Sequence, residues 1–296
     1  MLNMRRILCP TDFSDTAQHA LEHAVALARW YGSRITVLHV RTSVPPVSST
    51  EPPNATLPTD LDRQEIEKRL RTSAAPADAA GVQADVEFEE GSPAARILDR
   101  AASLAVDLIV MGTHGRGGFD RLLLGSIAEK VIRKASCPVL TVPPRTESTS
   151  RLPFKRLLCP VDFSEPSMAA LRFALSIAKE SDADIMILRV FECPPDAELL
   201  AGRAFDILEN RHQVEEQTKH QIDALISDEE RNWCKPTTRL SFGKPYREIL
   251  TIAENEKIDL IVMGVHGSSA RDLTLFGSTT NHVVRQARCP VLTLRP

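Results

Sequence analysis

The chain has 296 residues, of which 43% are hydrophobic and 25% are charged, and its formal net charge at pH 7 is −3. This composition is typical of a soluble globular protein, and the charge gives no support for non-specific nucleic-acid binding. No apolar run approaches the roughly 18 residues needed to span a bilayer, and Met1–Arg6 leave no room for the apolar segment of a signal peptide. The six cysteines include no Cys-x-x-Cys pair, so we expect reduced thiols in a cytoplasmic protein without a membrane contact.

Strands and helices alternate along the first half of the sequence. Ser14 is expected to cap the first helix and Gly32 to end it. Further helices are predicted around Asp60–Ala74, from Pro93 and from Ser126, whereas the Pro-, Ser- and Thr-rich residues 41–58 predict a flexible excursion. The strands are predicted at Arg6–Cys9, Ile35–Val40, Val82–Glu89, Leu108–Met111 and Val139–Val142. Because these strands are apolar without alternation, they predict a parallel sheet that is covered on both faces.

The second half of the sequence repeats the first. The segment Arg6-Ile-Leu-Cys-Pro-Thr-Asp-Phe-Ser14 returns as Arg156-Leu-Leu-Cys-Pro-Val-Asp-Phe-Ser164, and a helical pattern at residues 196–231 replaces the Pro-rich excursion. Solenoid repeats are much shorter, roughly 20–50 residues. We therefore predict two homologous domains, residues 1–143 and 154–296, joined by a linker at residues 144–153.

A glycine pattern occurs once in each half. The first copy is Gly112-Thr-His-Gly115, nine residues, then Gly125-Ser126, and the second is Gly264-Val-His-Gly267, nine residues, then Gly277-Ser278. Each copy lies between a predicted strand and a predicted helix. Glycine lets backbone N–H groups approach a phosphate, and the dipole of the following helix favours negative charge. The pattern therefore predicts an anion-binding loop.

Three positions in each half are expected to face one crevice. Ligands of doubly wound sheets bind beyond the carboxyl ends of the strands, where Asp12, Val40 and Gly112 lie in the first half. An acidic residue repels phosphate, so we expect Asp12 at the nucleoside end of this crevice. Ser126 has Glu129 three residues later, which is the spacing of a capping box, but its hydroxyl could instead bind a phosphate.

These segments resemble the ATP-binding type of universal stress protein, here in tandem. The resemblance covers essentially the whole chain, and both halves contain the phosphate signature Gly-x2-Gly-x9-Gly-(Ser/Thr) of that family. It implies an adenine nucleotide alpha-hydrolase-like α/β fold with two doubly wound, parallel five-stranded sheets in the order 3-2-1-4-5. It also implies pairing of the two sheets through their last strands as an intrachain pseudo-dimer, a possible homodimer of the whole chain, and a role in stress survival with protein partners that the sequence leaves unknown.

The resemblance implies ATP as the ligand and assigns the residues that would bind it. In the first half these are Pro10, Thr11, Asp12, Val40, Gly112, His114, Gly115, Arg116, Gly125, Ser126 and Ile127. In the second half they are Val161, Asp162, Val190, Gly264, His266, Gly267, Gly277, Ser278 and Thr279.

The second site departs from the family pattern. Arg116 follows Gly115 directly, whereas in the second half the arginine is displaced to Arg271. That half could retain its glycines for strand–helix packing alone. Asp120 and its counterpart Asp272 could hold Mg2+ or could be surface carboxylates. His19 and His23 are four residues apart, a spacing that can bind metal, but without a third ligand we expect a solvated or half-buried pair.

Three classes of function remain open from the sequence. A nucleotide-binding stress protein with little or no ATP turnover is favoured over a slow ATPase and over an interaction module with vestigial sites. The Walker pattern Gly-x4-Gly-Lys-(Ser/Thr) is absent, which excludes that class of ATPase. An enzyme of the adenylate-forming or pyrophosphatase kind is disfavoured because no Ser-Gly-Gly loop follows the first strand. No catalytic residue and no metal ligand can be assigned.

Overall fold

The computed structural model describes the chain except for residues 1, 3, 43–59, 116–123, 145–152, 193–203, 267–276 and 296. Its backbone divides into two compact units, one of residues 3–145 and one of residues 146–296 together with Leu2. We call them the N-terminal unit and the C-terminal unit. Residues 43–58 of the predicted excursion and residues 145–152 of the predicted linker lie outside the described residues, whereas Arg41 ends a strand.

The N-terminal unit alternates strands and helices as predicted. Its described elements are β1 (Arg6–Pro10), α1 (Asp15–Tyr31), β2 (Arg34–Arg41), α2 (Asp60–Ala79), β3 (Ala84–Glu90), α3 (Pro93–Ser103), β4 (Leu108–Gly112), α4 (Ser126–Lys134) and β5 (Val139–Val142). Neighbouring strands pair in parallel in the order β3-β2-β1-β4-β5. This confirms the predicted doubly wound sheet and its strand order 3-2-1-4-5.

The C-terminal unit repeats this topology. Its described elements are β6 (Arg156–Pro160), α5 (Glu165–Ser181), β7 (Asp184–Phe191), α6 (Ala204–Ala224), α7 (Asp228–Cys234), β8 (Thr237–Phe242), α8 (Pro245–Asn255), β9 (Leu260–Gly264), α9 (Ser278–Gln286) and β10 (Val291–Leu294). The parallel order β8-β7-β6-β9-β10 again corresponds to 3-2-1-4-5. None of the described helices of either unit is long and apolar enough to cross a membrane.

Helix α1 has the ends that its sequence predicts. The Ser14 hydroxyl accepts the Ala17 N–H at 3.2 Å, and Gly32 ends the helix in the left-handed conformation, at φ 66°. Between these caps the helix packs its apolar face on the sheet, whose strands β1, β4 and β5 are largely buried, whereas the edge strand β3 is half-buried. Ile7 of β1 and Leu21 of α1 are each 1% exposed. The apolar periodicity of α1 therefore identifies the core of the unit correctly.

The prediction of one helical segment at residues 196–231 is wrong. The described part of it forms two helices, α6 and α7, separated by residues 225–227. Ser227 begins α7 with a capping box, in which its hydroxyl accepts the Glu230 N–H at 3.2 Å and its own N–H donates to the Glu230 carboxylate at 2.8 Å. These bonds satisfy groups at the helix start and stabilise the break. Smaller differences are that α2 continues past Ala74 and that β3 begins two residues after Val82.

An aspartate at the start of each fourth strand holds the start of the first strand in its unit. The Asp107 carboxylate accepts the N–H groups of Arg5 and Arg6 at 2.7 and 2.9 Å. Asp259 accepts those of Lys155 and Arg156 at 2.8 and 3.0 Å. Burial raises the pKa of Asp259 above its usual value, although the two N–H donors oppose the shift. These carboxylates support the sheet, and they account for the Asp that precedes the sequence Leu-Ile-Val-Met in both halves, at Leu108–Met111 and Leu260–Met263.

Four of the five described cysteines are buried thiols, and Cys137 is half-buried. The five described cysteines are free, and Cys9 and Cys159 lie at the same position of β1 and β6, fully buried. Burial raises the pKa of Cys9 and of Cys289 to about 12 and that of Cys137 to about 11. Such thiols pack as small apolar groups and are poor nucleophiles.

Candidate nucleotide-binding site

A cavity of about 700 Å3 opens at the carboxyl ends of the central strands of the N-terminal unit. Ten of the eleven predicted residues of this unit line it, namely Pro10, Thr11, Asp12, Val40, Gly112, His114, Gly115, Gly125, Ser126 and Ile127. The eleventh, Arg116, lies outside the described residues. The strand ends of β1, β2 and β4 and the start of α4 therefore meet at one place, as parallel α/β topology requires.

Nine further residues line the cavity that the motif analysis did not include. They are Ala17, Leu38, Thr42, Pro93, Ile97, Met111, Thr113, Leu124 and Ala128. Two signals in the sequence could have identified some of them. Leu38 lies two residues before Val40 and so shares its face of β2. Pro93 begins α3 and belongs to the sequence Gly91-Ser-Pro93, which returns in the second half as Gly243-Lys-Pro245.

Asp12 lies closer to the glycine loop than predicted. One carboxylate oxygen, Oδ1, accepts the Ser14 N–H at 3.0 Å. The other, Oδ2, lies only 2.5 Å from the position that a Cβ on Gly115 would occupy. The expected separation between Asp12 and the phosphate loop is therefore wrong, because the turn after β1 directs this side chain back to the end of β4. Ser14, not Asp12, caps α1, as expected.

The first glycine of each motif is required by helix packing. A Cβ on Gly112 would lie 2.8 Å from the methyl group of Thr16 and 3.2 Å from its carbonyl oxygen, at the start of α1. A Cβ on Gly264 would lie 2.7 Å from the Pro166 Cβ and 2.8 Å from its carbonyl carbon, at the start of α5. Gly112 still lines the cavity, but the absence of its side chain allows strand and helix to approach each other, independently of any ligand.

The start of α4 leaves backbone donors without a side-chain cap. Gly125 is the N-cap residue and makes no side-chain hydrogen bond, and Ser126 is the first helical residue. The capping-box interpretation of Ser126 and Glu129 is therefore wrong, because the hydroxyl lies one position too late to act as the cap. The N-cap of α4 thus provides no side-chain acceptor for the N–H groups of the first turn, and the positive end of the helix dipole lies next to the cavity, an arrangement suited to an anion.

The histidines of the N-terminal unit have different surroundings. His114 lines the cavity, and its Nδ1 lies 2.9 Å from the Thr113 hydroxyl oxygen. His19 and His23 are 4% and 3% exposed and contact each other edge to face, with ring centroids 4.7 Å apart. Our expectation of a solvated or half-buried pair is therefore wrong. Among the described residues of both units, no three metal-ligating side chains come together.

The C-terminal unit has an analogous arrangement with tighter backbone packing. The Asp162 carboxylate accepts the Ser164 N–H at 3.0 Å, and Gly277 caps α9 without a side-chain bond. Val161 and His266 are 3% and 4% exposed. Val190 lies near the end of β7, and Ser278 and Thr279 begin α9. Gly267, Arg271 and both candidate Mg2+ ligands, Asp120 and Asp272, lie outside the described residues.

Comparison with known proteins agrees with this arrangement. Residues 3–143 and 153–295 each match the model of the universal stress protein family. The chain belongs to this family. A universal stress protein of Mycolicibacterium smegmatis is 27% identical over 309 residues, covering 98% of this chain and 97% of that protein. One from Methanocaldococcus jannaschii is 37% identical over 138 residues, covering 47% of this chain and 81% of its own.

Solved structures show the same fold. The crystal structure of a universal stress protein from Archaeoglobus fulgidus superposes with a TM-score of 0.70 at 24% identity, covering 99% of this chain and 97% of that chain. With the family model and the full-length relative, it confirms a tandem universal stress protein with the α/β fold predicted from the sequence.

Proposed function

We propose that the N-terminal unit binds ATP in its cavity and that the protein is a nucleotide-dependent regulator of stress survival with little or no turnover. The observation that carries this proposal is the uncapped start of α4 beside a cavity of about 700 Å3. Small-molecule sites typically have volumes of roughly 300–1,000 Å3 and a few convergent polar groups. Membership of the universal stress protein family supports the regulatory role.

The phosphates would bind at the start of α4. The N–H groups of its first turn have no capping side chain, and the helix dipole adds favourable electrostatic potential at the same point. Gly115 is exposed, and because it has no Cβ, its backbone would be accessible to the phosphates. Arg116, which follows it in the sequence, would add a cation for the phosphate charge.

The nucleoside would bind at the strand ends. Leu38, Val40 and Ile97 contribute apolar surface to the cavity wall, which suits the faces of a purine ring. Asp12 is the one carboxylate among the described lining residues. Its Oδ2 lies beside Gly115 of the glycine loop, so a ribose hydroxyl that donates a hydrogen bond to it would lie next to the phosphates.

Slow turnover follows from the groups that line the cavity. Phosphoryl transfer requires an oriented water and a cation at the leaving phosphate. Asp12 is the one carboxylate among the described lining residues, and it already accepts the Ser14 N–H and faces Gly115, so it is not assigned as the base that orients a water. Backbone donors stabilise bound ATP and the transition state alike, and such uniform binding does not raise a turnover number.

A matched pair of variants tests the location of the site. Gly125→Asp and Gly277→Asp place a carboxylate at the N-cap of α4 and of α9, where aspartate is a favoured capping residue. In Gly125→Asp the new carboxylate would accept the N–H groups that phosphate needs and would repel ATP. We expect its ATP affinity to fall by about tenfold or more in titration calorimetry, which corresponds to about 1.4 kcal/mol.

Gly277→Asp serves as the control because the same change is made in the other unit. It should retain an ATP site with native affinity. Equal, native-like binding by Gly125→Asp would contradict the proposed site, and an absence of ATP binding by the native chain would contradict the proposed function.

A further inference from the structure

The turn between β1 and α1, residues 11–14, contains a residue in an unfavourable conformation. We call it the acidic turn because it carries Asp12. Phe13 adopts φ 62°, and its counterpart Phe163 adopts φ 63°. This left-handed region is disfavoured for bulky side chains, which adopt it only where the surrounding structure enforces it. Both units therefore enforce the same disfavoured backbone immediately after the aspartate.

Hydrogen bonds within the acidic turn connect this conformation to the direction of the Asp12 side chain. The Thr11 hydroxyl accepts the Phe13 N–H at 3.0 Å, and the Asp12 Oδ1 accepts the Ser14 N–H at 3.0 Å. With Oδ1 engaged in this way, Oδ2 faces Gly115. A change of backbone conformation at Phe13 would move the Ser14 N–H and with it the carboxylate.

Side chains from two other elements hold the acidic turn in place. The ring of Phe13 packs on the imidazole of His39 in β2, with centroids 4.4 Å apart. The guanidinium of Arg69 in α2 lies 4.2 Å from the centroid of the Phe13 ring. His39 Nδ1 donates to the Thr11 carbonyl oxygen at 2.8 Å, since a carbonyl can only accept. His39 thus contacts the turn on both sides of Asp12.

The C-terminal unit does the same with a different side chain. Arg189 occupies the position of His39, and its guanidinium lies 5.5 Å from the Phe163 ring centroid. One of its N–H groups donates to the Val161 carbonyl oxygen at 3.4 Å. An imidazole in one unit and a guanidinium in the other thus contact the equivalent carbonyl group and the equivalent phenylalanine. What the two residues share is their contact with the turn.

We propose that Phe13 and His39 are positioning residues that hold the Asp12 carboxylate against the glycine loop and thereby set the affinity of the cavity for nucleotide. Neither side chain lines the cavity, so both act through Asp12. The identity of the ligand rests on the proposed function, whereas the placement of Asp12 can be measured in the absence of ligand.

The first arm of the test is a thermodynamic cycle on the full chain, with ATP as the probe. Glycine adopts positive φ without strain, so Phe13→Gly removes the ring while preserving the backbone conformation. We expect Phe13→Gly and His39→Ala each to weaken ATP binding by about tenfold. In an Asp12→Asn background Phe13→Gly should have no further effect, because the effects of contacts that act through one residue are not additive.

Two variants separate positioning from a general structural effect. His39→Arg introduces the side chain that the C-terminal unit uses at this position, so its ATP affinity should stay within about threefold of the native value. Phe163→Gly makes the same ring deletion in the other unit and should leave this affinity unchanged. Full loss in Phe13→Gly that persists in the Asp12→Asn background would overturn the proposal.

The second arm uses no nucleotide. The amide resonance of Gly115, which lies against the Asp12 carboxylate, is followed by NMR in the ligand-free full chain. It should shift in Phe13→Gly and in His39→Ala but stay near its native position in His39→Arg and Phe163→Gly. If the native chain binds no ATP, the proposed function fails while this arm still decides the positioning role. An unchanged chemical shift of the Gly115 amide in Phe13→Gly and His39→Ala would overturn the proposed positioning role.

Discussion

Replacing the first glycine of each motif by alanine should destabilise the two units unequally. In Gly264→Ala the new Cβ would lie 2.7 Å from the Pro166 Cβ, 2.8 Å from its carbonyl carbon and 3.0 Å from its carbonyl oxygen. Two of these atoms belong to the backbone and cannot rotate away. Overpacking typically costs about 1–3 kcal/mol, so we expect the upper end, about 3 kcal/mol, for this variant.

Gly112→Ala should cost less because its nearest contact is a methyl group. That Thr16 methyl would lie at 2.8 Å and the Thr16 backbone atoms at 3.2 and 3.3 Å, which predicts a loss of about 1.5 kcal/mol. Thr16→Ser deletes the methyl, so the cost of Gly112→Ala should fall to about half in that background. No side-chain truncation at Pro166 can relieve Gly264→Ala in the same way, because backbone atoms remain in contact.

Urea unfolding can resolve the two units through their separate tryptophans. The chain has two, Trp30 in α1 and Trp233 in α7, so Trp30→Phe leaves a probe in the C-terminal unit and Trp233→Phe leaves one in the N-terminal unit. With a slope of about 2 kcal/mol per molar urea, Gly264→Ala should lower the midpoint by about 1.5 M. A Gly264→Ala midpoint shift no larger than that of Gly112→Ala, or no relief by Thr16→Ser, would refute the packing argument.

Three further predictions concern the thiols, the chemistry and the two halves. Burial raises the pKa of Cys9 to about 12, so between pH 7 and 10 only the unfolded state loses this proton, and the free energy of unfolding falls. The difference in that free energy between the unmutated protein and Cys9→Ala should therefore shrink by about 1.5 kcal/mol in urea titrations, and a constant difference would contradict this argument. Steady-state ATP hydrolysis with Mg2+ should stay below about 1 per second, and faster turnover would reject the binding-protein account. Residues 1–143 and 154–296, expressed separately, should associate or be insoluble because their last strands are apolar; two stable monomers would contradict the predicted pseudo-dimer.

The fold was predictable because its signals are local and repeated. Strand β1 and its counterpart β6 are short apolar runs without alternation, which is typical of a parallel sheet buried on both faces. Ser14 and Gly32 delimit α1 through preferences that depend on a few neighbouring residues. Placing those strand ends together requires only the topology of a doubly wound sheet, so ten of the nineteen described lining residues of the cavity could be predicted from the motif positions.

The predictions failed where long-range contacts or competing local signals determine the outcome. The contact between Asp12 and Gly115 joins residues about a hundred positions apart and depends on the backbone conformation of Phe13. No periodic pattern in the sequence indicates that conformation. The burial of His23 depends on how α1 packs. Ser227 was visible as a Ser-x-x-Glu capping box, but the helical periodicity around it concealed the break. At Ser126 the Ser-x-x-Glu spacing predicted a capping box, but the N-cap of α4 is Gly125, one residue earlier.

Hydrogen–deuterium exchange of the full chain with and without ATP tests the central claim most directly. ATP bound in the cavity would protect the backbone amides that approach it. We predict protection in peptides that cover the acidic turn, the end of β2 and residues 124–128 at the start of α4, segments that meet only in the folded cavity. Unchanged exchange in all three segments at saturating ATP, or protection confined to other parts of the chain, would contradict the account.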